Sequence, residues 1–119
     1  NNGDVKFPSS LPMLKKLTFS NSDVDDISFL SDSALLEDVT LTYNRIQNLN
    51  IFQENSFPHL SRLNLSVNPI LNVKALSRLQ ALDYLNLYRT PLATNQVPKT
   101  EQNCPTTYGP LSVRRFCSK

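Results

Sequence analysis

Glycine is nearly missing from this chain: only Gly3 and Gly109 occur in 119 residues. A phosphate-cradling loop needs several glycines close together so that the backbone can approach the anion, which excludes nucleotide loops of that kind. Histidine occurs once, at His59, and cysteine twice, at Cys104 and Cys117. A structural zinc wants four such ligands, and two close cysteines with one distant histidine do not make that set. His59 also has no catalytic company, since Phe57-Pro58-His59-Leu60 reads as a turn into a strand, with no cysteine, serine elbow or carboxylate placed beside it. No apolar run approaches the roughly 18 residues of a membrane span. Charge is nearly balanced, with 12 basic against 10 acidic residues and a net +2. The basic residues are scattered apart from Lys15-Lys16 and Arg114-Arg115, which read as solvated surface, so no nucleic-acid partner is expected.

What is present is a phrase written four times: Leu14-x-x-Leu17-x-Phe19, Leu36-x-x-Val39-x-Leu41, Leu60-x-x-Leu63-x-Leu65 and Leu82-x-x-Leu85-x-Leu87, with starts 22, 24 and 22 residues apart. Each copy continues with a polar residue and, two further on, an apolar one: Ser22 and Val24, Asn44 and Ile46, Asn68 and Ile70, Thr90 and Leu92. In an extended segment the fourth and sixth positions share one face, so Leu17/Phe19, Val39/Leu41, Leu63/Leu65 and Leu85/Leu87 are expected in a core. One unit cannot bury that face alone, but stacked neighbours can, and parallel stacking pairs their backbones. Asn44 and Asn68 stand where the chain turns off the strand, and an amide both donates to and accepts from backbone groups there. Ser22 and Thr90 supply a single hydroxyl, so the first and last units are expected to be less regular. Between strands, apolar residues recur every third position in Val73-Lys74-Ala75-Leu76-Ser77-Arg78-Leu79, which predicts short 3₁₀ or helical turns. The two extra residues of the second unit fall near Gln53-Glu54-Asn55-Ser56 and are expected to bulge on the side away from the strands.

The full unit, L-x-x-L-x-L-x-x-N-x-I, resembles the leucine-rich repeat in its short class of about 22 residues, seen in internalin-like bacterial proteins. The resemblance covers residues 14 to 92. It implies an α/β fold, a short horseshoe-shaped solenoid with a parallel sheet on its concave face and 3₁₀ or short helical turns on its convex face. At 119 residues a single domain is expected. The repeats run 14–35, 36–59, 60–81 and 82–103. Residues 1–13 form an N-terminal cap or the cut end of a longer array, and 104–119 form a C-terminal cap. A fifth leucine is due at 104, and Cys104 stands there instead. Gly109-Pro110 reads as a helix start, with Leu111 and Phe116 covering the last repeat. Cys104 and Cys117 are expected to form a disulfide pinning that helix, the alternative being two buried free thiols in a cytosolic protein. Two cysteines fall short of the four-cysteine cap common in animal extracellular repeat proteins, which favours a bacterial secreted, periplasmic or surface protein.

A repeat fold licenses no activity by itself, so function rests on the outward positions. The third positions are Lys16, Asp38, Arg62 and Tyr84; the fifth Thr18, Thr40, Asn64 and Asn86; the seventh Ser20, Thr42, Ser66 and Tyr88; the eighth Asn21, Tyr43, Val67 and Arg89. Aromatic and guanidinium groups gather in the C-terminal half. Tyrosine and arginine combine large contact area with directed polar groups and dominate binding energies. The candidate partner-binding residues are therefore Arg62, Tyr84, Tyr88 and Arg89, with Tyr43 beside them. The plainer alternative has Tyr88 and Arg89 packing over the cap and Tyr84 covering an edge. The acidic group Asp23, Asp25, Asp26 and Asp32 lacks the spacing and central glycine of a calcium loop and reads as a solvated turn, with Asp side chains capping a short helix near Ile27. Asn64-Leu65-Ser66 matches a glycosylation acceptor inside a strand and is taken as chance. The chain is expected to be a non-enzymatic, monomeric recognition module for a protein partner, with no metal and no cofactor. The alternatives are an intracellular scaffold or regulatory subunit, and the accessory part of an enzyme whose active residues lie outside this chain.

Overall fold

The computed structural model describes residues 11–119. The proposed N-terminal cap over residues 1–13 lies mostly outside the described residues. Four three-residue strands, β1 (Lys16–Thr18), β2 (Asp38–Thr40), β3 (Arg62–Asn64) and β4 (Tyr84–Asn86), form one parallel sheet in chain order. The register repeats without slippage: Leu17 pairs with Val39, Val39 with Leu63, and Leu63 with Leu85. Backbone bonds repeat with it. The Asp38, Arg62 and Tyr84 amides donate to Lys15, Glu37 and Ser61 carbonyls at 3.2, 3.1 and 3.0 Å. Since a one-residue slip would turn every leucine to solvent, the apolar alternation holds this register.

The inward side chains of the sheet meet those of the connecting segments in one core. Val39, Leu41, Leu63 and Leu65 are wholly buried, and Leu87 nearly so, whereas Leu17, Phe19 and Leu85 are only partly buried. From the other side come 3₁₀ turns at Ser28–Leu30 and Lys74–Arg78. Between them lies the α-helical turn α1, Ile51–Glu54. The two-residue insertion of the second unit is taken up here, as a change of helix type. The Glu54 and Asn55 amides reach back four residues to Asn50 and Ile51 carbonyls, at 2.9 and 3.1 Å. Buried Phe52 and Phe57 then meet edge to face with centroids 5.4 Å apart. The Arg78 side chain donates to the Gln53 carbonyl, tying α1 to the next turn. Each connecting turn is also closed by a side-chain oxygen two residues before the amide it accepts: Asp26 for Ser28 at 2.9 Å, Asn48 for Asn50 and Asn72 for Lys74 at 2.8 Å.

The asparagines of the repeat do the inward work assigned to them, and they do it between units. Asn44 Oδ1 accepts the Ser22 and Val24 amides (3.1 and 3.2 Å) while Nδ2 donates to the Phe19 and Thr42 carbonyls (2.9 and 3.1 Å). Asn68 Oδ1 accepts the Ile46 amide at 3.0 Å, and Nδ2 donates to Leu41, Leu65 and Ser66 carbonyls at 2.8 to 3.1 Å. Thr90 reaches no other unit: its hydroxyl donates to Leu87 O and accepts the Ala93 amide. The Ser22 hydroxyl likewise stays within its own unit, donating to Ser20 O. A further buried hydroxyl had no sequence signal: Ser33, wholly buried, donates to Leu11 O at 2.8 Å where later units place Phe57 and Leu79.

At the C-terminal end Cys104 and Cys117 are disulfide-bonded, Sγ to Sγ 2.00 Å. Helix α2 (Leu111–Cys117) follows Pro110, which occupies the N-cap. Of the two side chains expected to seal the core, Phe116 packs against it and Leu111 does not. Leu111 is 47% exposed and points away, while Val113 and Cys117 are buried and Phe116 is partly so. With 3.6 residues per turn, the disulfide at Cys117 fixes which face turns inward, and Val113, four residues earlier, shares it. Gly109 has φ +94° and lies against the Lys74–Arg78 turn, where an added Cβ would sit 3.0 Å from Ser77 Cβ. Both the backbone conformation and the close approach require glycine there.

Candidate functional site

The outward positions of the four strands form an open surface on the far side of the sheet from the core. Its third-position row runs Lys16, Asp38, Arg62, Tyr84 in strict register. This row gathers three side chains. The Arg62 guanidinium lies 4.3 Å from the centre of the Tyr84 ring, and its Nε stands 3.8 Å from Asp38 Oδ2. Arg62 is therefore held between an aromatic face and a carboxylate while its side chain remains 55% exposed. Exposed ion pairs contribute little to stability, so the contact matters chiefly as orientation of the guanidinium. The same row and its neighbours border a small cavity of about 120 Å³, lined by Asp38, Thr40, Arg62, Asn64 and Tyr84. That is below the several hundred Å³ of a drug-sized ligand site.

The fifth and seventh rows are internally tied. Asn64 Oδ1 accepts the Ser66 amide at 3.1 Å and Asn86 Oδ1 the Tyr88 amide at 2.9 Å, while Asn86 Nδ2 donates to Tyr84 Oη at 3.3 Å. Ser20 and Thr42 hydroxyls meet at 2.9 Å. Asn64, read from sequence as a chance glycosylation match, is thus engaged with its own strand.

The eighth row has a shared backbone feature that the sequence concealed. Asn21, Tyr43, Val67 and Arg89 all have positive φ, at 55°, 55°, 56° and 60°. L-residues other than glycine, asparagine and aspartate resist this region, and a β-branched valine resists it most. In the first three units the ladder holds this conformation: the amides of Asn21, Tyr43 and Val67 donate to the carbonyls of Thr42, Ser66 and Tyr88 at 3.1, 3.2 and 2.7 Å. It aims Tyr43 and Arg89 along one rim of the surface. Tyr88, 66% exposed, lies beneath the Arg89 guanidinium at 5.9 Å.

Of the five candidates, two pairs are brought into contact, Arg62 with Tyr84 and Tyr88 with Arg89. Tyr43, 56% exposed, stands apart on the rim, with Val67 between it and Arg89. Tyr88 and Arg89 are exposed rather than packed over the cap. Sequence reasoning placed Asp38 and Asn86 on the outward rows but not among the candidates; they are the groups that orient Arg62 and Tyr84. The row of third positions already set Asp38 next to Arg62, but a carboxylate carried no hot-spot signal of its own.

Elsewhere the geometry is less suggestive. His59 is exposed in the turn before β3. Among the described residues no group of three or more histidine, cysteine or carboxylate side chains is arranged to hold a metal ion, and no helix is long and apolar enough to cross a membrane. An open groove of about 820 Å³ between the first 3₁₀ turn and α1 is lined by Asp25, Asp26, Ser28, Arg45, Asn48 and Glu54 among others. Its Asp26 and Asn48 are the oxygens that close the connecting turns. The Ser28 amide, and then the Ser28 hydroxyl, hold the Asp26 carboxyl below its ordinary pKa. Glu101 in the C-terminal segment is likewise lowered, by the Thr106 hydroxyl and then its amide. No protein-family model matches the chain, and no curated protein sequence matches it.

Proposed function

We infer that this chain is a leucine-rich-repeat array, a short solenoid with its sheet on the concave face and helical turns on the convex face, and that the concave face binds a protein ligand. The observation that carries this reading is the pair of exposed arginine–tyrosine stacks on one continuous sheet surface, Arg62 over Tyr84 and Arg89 over Tyr88. Arg62 is pre-oriented by Asp38, so less side-chain freedom is lost when a partner docks. Four strands present their outward side chains in even rows, a broad ridged surface suited to another protein rather than to a small molecule. The disulfide supports a secreted, periplasmic or surface location, because such bonds persist in oxidising compartments.

The test compares the parent with Arg62→Glu/Tyr88→Ala and with a control on the opposite side, Lys74→Glu, as baits in native extract, all three matched for thermal stability. A partner captured by parent and control and lost by the double variant is the expected result. Equal capture by all three rejects the surface. Thiol counting by mass spectrometry with and without reductant tests the location: free Cys104 and Cys117 in the native protein would sink it.

A further inference from the structure

Charge is balanced over the whole chain but not along it. From residue 11 to 59 seven acidic side chains stand against three basic ones, and from 60 to 119 eight basic stand against two acidic. The segment after the last repeat phrase carries Lys99, Arg114, Arg115 and Lys119 against one carboxylate, Glu101. That carboxylate is already engaged: it accepts the Thr106 amide at 2.9 Å and the Thr106 and Thr107 hydroxyls. Among the described residues Asp38–Arg62 is the one ion pair, so no described carboxylate pairs with these four cations. Lys99 lies over the Phe116 ring at 5.1 Å, and Arg114 Nε donates to Gly109 O at 3.0 Å. Helix α2 packs against β4 and turns Val113 and Cys117 into the core. Its other side presents Leu111 and Arg115, with Lys119 four residues further on, as one stripe across the end of the array. Leu111 is 47% exposed there, in a shallow depression of about 470 Å³ lined by Thr106, Leu111, Arg114, Arg115, Ser118 and Lys119. An exposed leucine is thus ringed by three cations.

We propose that the outer face of α2 docks on an anionic phospholipid surface, with Arg114, Arg115 and Lys119 at the phosphates and Leu111 entering the boundary between headgroups and acyl chains. Guanidinium and ammonium groups both bind phosphate oxygens, and the negative potential of such a surface attracts clustered cations. The leucine selects among anionic partners. A soluble polyanion satisfies the cations and leaves Leu111 in water, whereas a bilayer takes charge and apolar side chain together. The uneven charge of the chain then sets the orientation. At the usual strand spacing the first two units stand roughly 10 to 15 Å from β4. That is beyond the screening length of about 8 Å at physiological salt, so their carboxylates do not oppose the docked end. The array stands on its cap, and the arginine–tyrosine surface on the sheet stays clear of the lipid.

Three cations and one leucine give weak binding, with half-saturation on the order of 1 mM lipid. Co-sedimentation with vesicles of phosphatidylcholine alone, or of equal parts phosphatidylcholine and phosphatidylglycerol, tests it. The parent is expected to pellet with the mixed vesicles and to stay in solution with the neutral ones. Arg115→Glu/Lys119→Glu is expected to bind the mixed vesicles at least tenfold more weakly, and Lys15→Glu in the first unit to bind as the parent does. Circular dichroism confirms that each variant is folded. The chain has no tryptophan, so Leu111→Trp supplies a reporter at the point of entry. Its emission is expected to shift to the blue with the mixed vesicles, and to stay unmoved with neutral vesicles or with soluble polyglutamate. A parent that fails to pellet at about 10 mM mixed lipid, or that pellets equally with neutral vesicles, overturns the proposal. So does a double variant that binds as the parent does. Emission unmoved in the pelleted Leu111→Trp protein, or moved as far by polyglutamate, also overturns it and makes the partner a soluble acidic polypeptide. None of these outcomes depends on the identity of the protein ligand or on Arg62.

Discussion

The middle of the array and its C-terminal end solve the same problem with different chemistry. Between the first and third units, turns off the strands are closed by carboxamides that reach back one unit: Asn44 to Phe19, Ser22 and Val24, and Asn68 to Leu41 and Ile46. At the fourth unit Thr90 closes only its own turn. Behind it the Ile70 amide is left to the Asn68 carbonyl at 2.8 Å, and the Val73 amide donates to Asn103 O, just before the cap, also at 2.8 Å. The end is then secured by the Cys104–Cys117 bond and by Ser112 on Leu82 O. An amide has donors and an acceptor to spend on two units, and a hydroxyl has one donor. Propagation therefore needs asparagine, while termination can use threonine provided that a covalent tie replaces the lost reach.

The largest expected effect follows from that contrast. Asn68→Ala strands buried carbonyls of two units and the Ile46 amide, and should cost about 3 to 4 kcal/mol in chemical denaturation. Thr90→Val should cost only about 1 kcal/mol, and equal losses for the two would erase the distinction. Close behind comes Cys117→Ser, which opens a loop of sequence separation 13 and should remove about 3 kcal/mol. Hydrogen exchange should then show α2 amides opening while β2 and β3 stay protected; uniform loss of protection would mean that the cap and the middle are one cooperative unit.

A smaller effect of opposite sign is expected at Val67, whose φ of 56° suits asparagine better than valine. Val67→Asn should raise stability by roughly 0.5 to 1 kcal/mol, read as an increased melting temperature. The smallest concerns pH. The folded Asp26 carboxyl sits below its ordinary value of 3.8, so its contribution is fully present above that value and is lost as pH falls through the lowered one. Asp26→Asn keeps an acceptor for the Ser28 amide and should flatten the stability curve below pH 3.8, measured by urea titration at several pH values. An unchanged slope would remove Asp26 from the account of acid stability.

Much of this molecule is legible in four copies of one phrase. The spacing of the leucines gave four strands, their common register and the inward face, because a period of two in a strand and a period near 22 between strands leave one arrangement that buries them all. Val73 to Leu79, read as a short 3₁₀ or helical turn, holds a 3₁₀ turn over Lys74–Arg78. Leu111 did not read correctly, since a seven-residue helix offers too few apolar positions to fix its own rotation, and the disulfide chose the face. Of the candidate surface, the residue types were legible and the contacts were not. Arg62 and Tyr84 are 22 positions apart in the chain, and only the lateral register sets one guanidinium on the other ring.

The sequence by itself determined the repeat, the buried face and the cysteine at the point where a fifth leucine was due, since each of these depends on local alternation and counting. The tertiary structure alone decided the left-handed residue after each of the first three strands, the reach of the asparagines between units and the orientation of Arg62. Those depend on which backbone groups find partners across neighbouring strands, and that is settled only when the strands are stacked.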